Sequence, residues 1–162
     1  MPRKDIYHDI VKIALQKDGW QTIDDPLRVV VGGIGLFIDL TAEPVLSFEK
    51  GNEKIAIEIK SFEIQSHITS FYEALGKYLT YRKALEMNAM QMEIYLAIPY
   101  KAYDTIFQKE LIKALVIENH LHIIVYEPNT QVIISWIKYQ NIKMQLFPSL
   151  KNMIVFGEIR EV

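Results

Sequence analysis

Apolar residues recur along this chain with two different periods. Ile6, Ile10 and Ala14 are spaced by four with Ile13 beside them, which predicts a helix over residues 4–17. Asp5, His8, Asp9 and Lys12 lie off that apolar stripe, and Gly19 follows at a position where helices commonly end. Residues 20–31 predict an extended segment broken at Asp24-Asp25-Pro26, because the residue before a proline avoids the helical region. Gly32-Gly33 marks a turn. Residues 36–40 predict a short strand carrying Asp39, and residues 41–44 lead onward from it. Residues 45–50 and 54–60 then predict a hairpin about Gly51-Asn52, two residue types that tolerate positive φ.

Residues 61–69 hold neither glycine nor proline and read as a loop. Ser70-Phe71-Tyr72-Glu73 fits a capping box, so the next helix is predicted over residues 71–87, with Phe71, Leu75, Tyr78 and Leu79 inward. Gly76 falls in its middle, where glycine costs about 1 kcal/mol relative to alanine. That points to close packing against a strand, such as the one carrying Glu58. Residues 92–99, apolar apart from Glu93, predict a central strand. Residues 103–118 predict a third helix anchored by Ile106, Leu111 and Leu115 and capped at Asn119. Residues 122–126 and 131–137 predict strands on either side of a turn at Glu127-Pro128-Asn129-Thr130. This order describes an α/β domain over residues 1–137, with a mixed sheet flanked by helices. Residues 138–162 form a C-terminal extension, interrupted by Pro148 and apolar again at 153–156. An edge strand, a partner contact and loose packing all remain open for it, and it is expected to be dispensable for the core fold.

The chemistry begins with residues 55–60. Alternation puts Ile55, Ile57 and Ile59 on one face of the strand and Ala56, Glu58 and Lys60 on the other. If the strand with Asp39 is a neighbour, two carboxylates and a lysine converge on one pocket, suited to a hard cation and a water. The plainer reading is an amphipathic strand whose polar face meets water. His8 either reaches such a site or lies on a solvated helix face. Glu43 is an extra ligand or a loop carboxylate in water. Lys77 and Tyr81, four apart, share a helix face, where the plainer reading is a snorkelling lysine and a half-buried tyrosine.

Composition narrows the classes. Half of the 162 residues are hydrophobic, enough for the core of one domain. The net charge of −2 does not announce non-specific nucleic-acid binding, although a local basic groove stays open. Cysteine is absent, which rules out a disulfide framework and fits a reducing compartment. The N-terminus lacks the apolar run of a signal peptide, and no stretch approaches the ~18 apolar residues of a membrane span. A cytoplasmic protein without a membrane partner is the expectation. The glycines at 32–35 lack the Gly-Lys-Ser/Thr ending of a phosphate loop.

An acid followed some twenty residues later by acid-x-lysine, set in this order of elements, resembles the PD-(D/E)XK nuclease superfamily. The chain is more specifically similar to the XisH family, the excision controlling factors of the fdxN element. The residues carrying that resemblance start with Lys4-Asp5-Ile6-Tyr7-His8-Asp9, Lys17-Asp18-Gly19-Trp20 and Asp25-Pro26-Leu27-Arg28. They continue through Ile38-Asp39-Leu40, Ala42-Glu43, Glu49-Lys50-Gly51 and Ile57-Glu58-Ile59-Lys60-Ser61-Phe62. Ala74-Leu75-Gly76-Lys77-Tyr78 and Ser135-Trp136-Ile137 complete them.

The resemblance implies a restriction-endonuclease-like core and a role in excising a DNA element by site-specific recombination. The partners it implies are DNA, a separate recombinase and a small companion, XisI; a homodimer is also compatible with it. By resemblance, Asp39 and Glu58 match the metal-binding acids and Lys60 the active-site lysine. Tyr81 matches the tyrosine of a glutamine-x-x-x-tyrosine helix motif, in which Lys77 stands where glutamine is expected. The first-helix glutamate of the superfamily has no counterpart, and His8 or Asp9 is the nearest polar residue. Mg²⁺ would be held by Asp39, Glu58 and the carbonyl of Ile59, with Lys60 orienting a water or stabilising charge at phosphorus. Three functions follow: an excision accessory factor, an active Mg²⁺-dependent endonuclease, or a scaffold for a companion protein.

Overall fold

The computed structural model describes residues 3–46, 53–63 and 65–138, together with the backbone of residues 159–161. The first helix, α1, spans His8–Lys17 and is followed by four strands: β1 (Trp20–Thr22), β2 (Leu27–Val31), β3 (Ile34–Ile38) and β4 (Leu40–Pro44). Then come β5 (Ile55–Ile59), the long helix α2 (His67–Met87) and β6 (Glu93–Pro99). Two short helices follow, α3 (Tyr100–Asp104) and α4 (Glu110–Glu118), with a 3₁₀ turn at Ile106–Gln108 between them. β7 (His122–Glu127), β8 (Val132–Ile137) and β9 (Ile159–Glu161) close the order.

The main sheet runs β1-β4-β5-β6-β7-β8-β9. Its centre, β5-β6-β7, is parallel and the outer pairs are antiparallel, so the sheet is mixed, as the order of elements predicts. The predicted central strand is β6, between β5 and β7. β2 and β3 form a separate hairpin turned at Gly32 (φ +55°) and Gly33 (φ +80°), a conformation glycine adopts without a Cβ clash. β9 pairs with β8, so the last residues add an edge strand. Apart from Lys138, the rest of the extension, including Pro148 and residues 153–156, lies outside the described residues.

Each face of the main sheet carries its own core. Val11, Ala14 and Leu15 of α1 pack with Leu40, Ile55, Ile57 and Ile59. Phe71, Ala74, Tyr78 and Leu85 of α2 pack on the opposite face with Ala56, Leu96 and Ile98. β5 is therefore covered on both sides, and its predicted alternation holds: the isoleucines face α1 and Ala56 faces α2. None of the described helices is long and apolar enough to cross a membrane.

Several predicted boundaries move, each for a local reason. α1 starts at His8 rather than at residue 4. Asp5 Oδ1 accepts from Tyr7 N and its backbone carbonyl accepts from His8 N, a turn that leaves Ile6 exposed. Residues 36–44 are not one strand and a connection but the end of β3 and all of β4, and Asp39 is the break where the chain passes from the hairpin to the main sheet. The antiparallel neighbour of β5 is consequently β4, in register Leu40↔Ile57; of the predicted partner at 45–50, residues 47–50 lie outside the described residues.

α2 starts four residues earlier than predicted because Ser66 caps it, accepting from Thr69 N at 3.3 Å. Ser70 is buried inside the helix, and Glu73 reaches away from it to Lys60. Gly76 faces open space, with no atom within 4 Å of where a Cβ would stand, so it marks no close approach to a strand. The predicted third helix is broken at Thr105, whose hydroxyl donates to Lys101 O at 2.7 Å. The break turns Leu111 outward to 65 % exposure, and Ile112 and Val116 take the inward positions beside Ile106.

Candidate carboxylate site at the end of β5

The antiparallel ladder between β4 and β5 stops at Leu40↔Ile57. One step further, the backbone of residue 39 has already turned toward the hairpin. The Asp39 side chain takes over the ladder's work, and its Oδ2 accepts from Ile59 N at 2.8 Å. Register continuation sets Asp39 opposite Glu58, so the two predicted carboxylates do meet. The reading of Glu58 as a water-facing strand acid fails, since α2 covers that face and Glu58 is 1 % exposed.

The electrostatics follow from this burial and proximity. Burial raises the Asp39 pKa, against the Ile59 amide, which lowers it. Burial pushes Glu58 well above its ordinary range, and the charge of Asp39 pushes it further, with Lys77 opposing. Glu58 Oε2 is buried with no donor group bonded to it, and the side-chain hydrogen bond open to Glu58 besides Lys77 is with the Asp39 carboxyl. Two carboxylates this close and this dry cannot both ionise cheaply, and the cost falls on Glu58, whose pKa rises the more.

The cations are arranged unexpectedly. Lys77 of α2 lies nearest to the pair, with Nζ 3.5 Å from Glu58 Oε1. Lys60 lies on the same face of β5, but its ammonium meets Glu73 Oε2 at 2.6 Å. Gln65 Nε2 donates to the same oxygen at 2.7 Å, and the hydrogen bond from Lys60 is the main reason the Glu73 pKa is lowered. Tyr81, one turn beyond Lys77, is buried. Its pKa is raised by burial and then by the charges of Glu58 and Asp39, which places it beside the pair.

His8 is not on a solvated face. It is buried at the start of α1, with Nε2 2.6 Å from Asp25 Oδ1, while Lys12 holds Asp25 Oδ2 at 2.8 Å. Burial would raise the Asp25 pKa, but the hydrogen bonds from Lys12 and His8 win and lower it. His8 in turn helps to lower the Asp39 pKa, so it stands behind the carboxylate pair rather than in it. Glu43 is neither a ligand nor a loop residue. It sits on β4, four residues or about 13 Å along the chain from Asp39, and accepts from Gln21 Nε2.

Glu73, Gln65 and Asp25 have no signal in the local sequence; each is a surface-type residue whose partner lies 8 to 17 positions away. Among the described residues no three histidine or acidic side chains are grouped as a metal site. The donors at this point are two carboxylates, one of them with an oxygen to which no donor group is bonded, and backbone carbonyl groups. Such an all-oxygen set fits a hard divalent ion that keeps several waters, as Mg²⁺ does.

Comparison with known proteins gives a consistent result. The family described as XisH protein matches residues 1–134. The crystal structure of an XisH family protein from Nostoc punctiforme PCC 73102 superposes with a TM-score of 0.74 at 41 % identity, covering 82 % of this chain and 98 % of that one. That of a fdxN element excision controlling factor protein from Anabaena variabilis gives a TM-score of 0.75, with the same identity and coverage. No curated protein matches. With a match across more than four-fifths of its length and relatives at this identity, the chain belongs to the XisH family.

Proposed function

We propose that this protein is an accessory factor in the site-specific excision of a DNA element, and that its carboxylate site holds Mg²⁺ against the DNA backbone. The role in excision rests on the family, one of whose solved members is named an excision controlling factor. The use of the site rests on one observation: Asp39 and Glu58 are buried together, and Glu58 Oε2 has no donor group bonded to it. The helix–sheet order and the position of these acids support a core of the PD-(D/E)XK nuclease type.

Asp39, Glu58 and a backbone carbonyl such as that of Ile59 would hold the ion. When bound, Mg²⁺ would offset the charge of a phosphate and lower the pKa of a water. Lys77 neutralises part of the carboxylate charge. Asp39 keeps its geometry through the Ile59 amide. Lys60 and Gln65 both donate to Glu73, and a phosphate oxygen would compete with it for them.

Binding is favoured over cutting because Lys60, the residue that would serve hydrolysis, is ion-paired with Glu73. A titration of duplex DNA at two salt concentrations, with Mg²⁺ and with chelator, tests the reading. It expects binding that weakens with salt and strengthens with Mg²⁺. Salt-independent retention of the companion XisI or of a recombinase, with no DNA binding, would instead make the protein a scaffold. Cleavage of plasmid DNA that needs Mg²⁺ and Glu58 would make it an endonuclease.

A further inference from the structure

A cavity of about 480 Å³ opens at the other end of the sheet. One face of α2 walls it with Tyr78, Arg82 and Leu85. Met92, just before β6, and Ile94 on it add apolar lining, and His120, His122 and Lys138 line it as well. The strand register separates it from the carboxylate pair. Glu93, also in the cavity, stands beside Ile55, whereas Glu58 stands beside Leu96, three residues or about 10 Å further along.

The lining holds two cations, Arg82 and Lys138, and two carboxylates, Glu86 and Glu93, but among the described residues Arg82 has no carboxylate partner. Lys138 is matched by Glu93, at 2.7 Å, and lies 3.9 Å from Glu53. Glu86 is taken by Lys83 on the exposed side of the helix, at 3.0 Å. Arg82 donates to Asn119 O at 2.6 Å, and its guanidinium lies over the Tyr78 ring, 5.4 Å from the centroid. The His122 pKa is lowered by burial first; Glu93 acts against this, and Lys138, Arg82 and His120 act with it. A concave site of this size, with apolar lining and a few convergent donors, has the make-up of a small-molecule pocket. A guanidinium beside imidazoles selects an anionic group.

We propose that this cavity binds a small organic anion, whose single phosphate or carboxylate group meets Arg82, His120 and His122 and whose flat or apolar body covers Leu85, Met92 and Ile94. The proposal is independent of the role assigned to Asp39 and Glu58.

The test is a titration of the full chain, followed through the imidazole NMR signals of His120 and His122. The probes are adenosine monophosphate, benzoate, inorganic phosphate and adenosine. The expected result is saturable movement of both histidines with adenosine monophosphate or benzoate, whichever head group fits, and a rise in the His122 pKa on binding. Inorganic phosphate and adenosine should bind at least about tenfold more weakly, as each lacks one half of the recognised molecule. Arg82→Gln should weaken binding by about tenfold or more.

Arg82 also holds the end of α4, so His120→Asn supplies a second variant. The backbone there is left-handed (φ +52°), which asparagine tolerates, and the same weakening is expected. Glu58→Gln should leave binding unchanged. The proposal is overturned if no probe moves the histidines, if inorganic phosphate binds as well as the organic anions, or if affinity survives in both variants.

Discussion

Lys60 gives its ammonium to Glu73 of α2, at 2.6 Å, and not to Glu58 two residues back on its own strand. Glu58 has Lys77 as its cation instead. The strand parity that places Glu58 and Lys60 on one face is therefore correct, yet it does not make them partners. α2 crosses that face and offers each of them a better one.

Freeing Lys60 is the first experiment. Glu73→Gln keeps the size of the side chain and removes the charge. The pair is partly exposed, so folding stability should change by less than about 1 kcal/mol. If DNA lies over this site, its affinity should rise at low salt, and the salt slope should steepen by about one, as for one added phosphate contact. DNA titrations of both proteins at two salt concentrations check this; unchanged curves would place the DNA elsewhere.

The carboxylate pair makes a pH-dependent prediction. The Glu58 pKa is raised in the folded protein above its ordinary 4.5. Its favourable contribution is therefore complete below that value and is lost as pH rises through the folded pKa. Metal-free wild type should lose stability on going from mild acid to neutral pH. Glu58→Gln cannot ionise and should be more stable than wild type at neutral pH by about 1 kcal/mol or more, with the gap closing in acid. Added Mg²⁺ should stabilise wild type and leave the variant unchanged. Denaturant melts at two pH values, with chelator and with Mg²⁺, decide it; a stable wild type indifferent to both would remove the metal site.

His8 and Asp25 form the next pair. Asp25→Asn would leave the buried His8 with a weaker partner and Lys12 with none, and should cost about 1–3 kcal/mol near neutral pH. The Asp25 pKa is lowered below its ordinary 3.8. That contribution is present above 3.8 and fades as pH falls toward the folded value, so wild type and variant should converge in acid. Urea unfolding across that range is the check, and a constant difference would mean that the loss is steric rather than ionic.

Gly76 stands on the open side of α2 in a helical backbone, with nothing to meet a methyl group. Gly76→Ala should therefore raise stability by about 1 kcal/mol, seen as a higher Tm, without altering the site. Destabilisation would reveal a close neighbour at this face.

The sequence by itself determined most of the helices and strands and the polarity of β5, but not β4 or the break in the third predicted helix. Those follow from spacing within a few residues, because a strand alternates and a helix turns whatever surrounds it. Ile55, Ile57 and Ile59 against Ala56 and Glu58 could be assigned to faces on that ground alone, and Asp39 could be named as the second acid. What covers each face was beyond it. Glu58 is a surface acid by pattern and a buried one in fact, because α2 lies across it. Gly76 looked like a packing glycine only while the outer side of α2 was unknown. Lys60 with Glu73, His8 with Asp25 and Arg82 with Asn119 join residues 13 to 37 positions apart. Nothing local encodes such pairings, since a charged side chain carries no mark of its partner. Tertiary packing chose the partners, and burial then raised the pKa values that make Asp39 and Glu58 a candidate site.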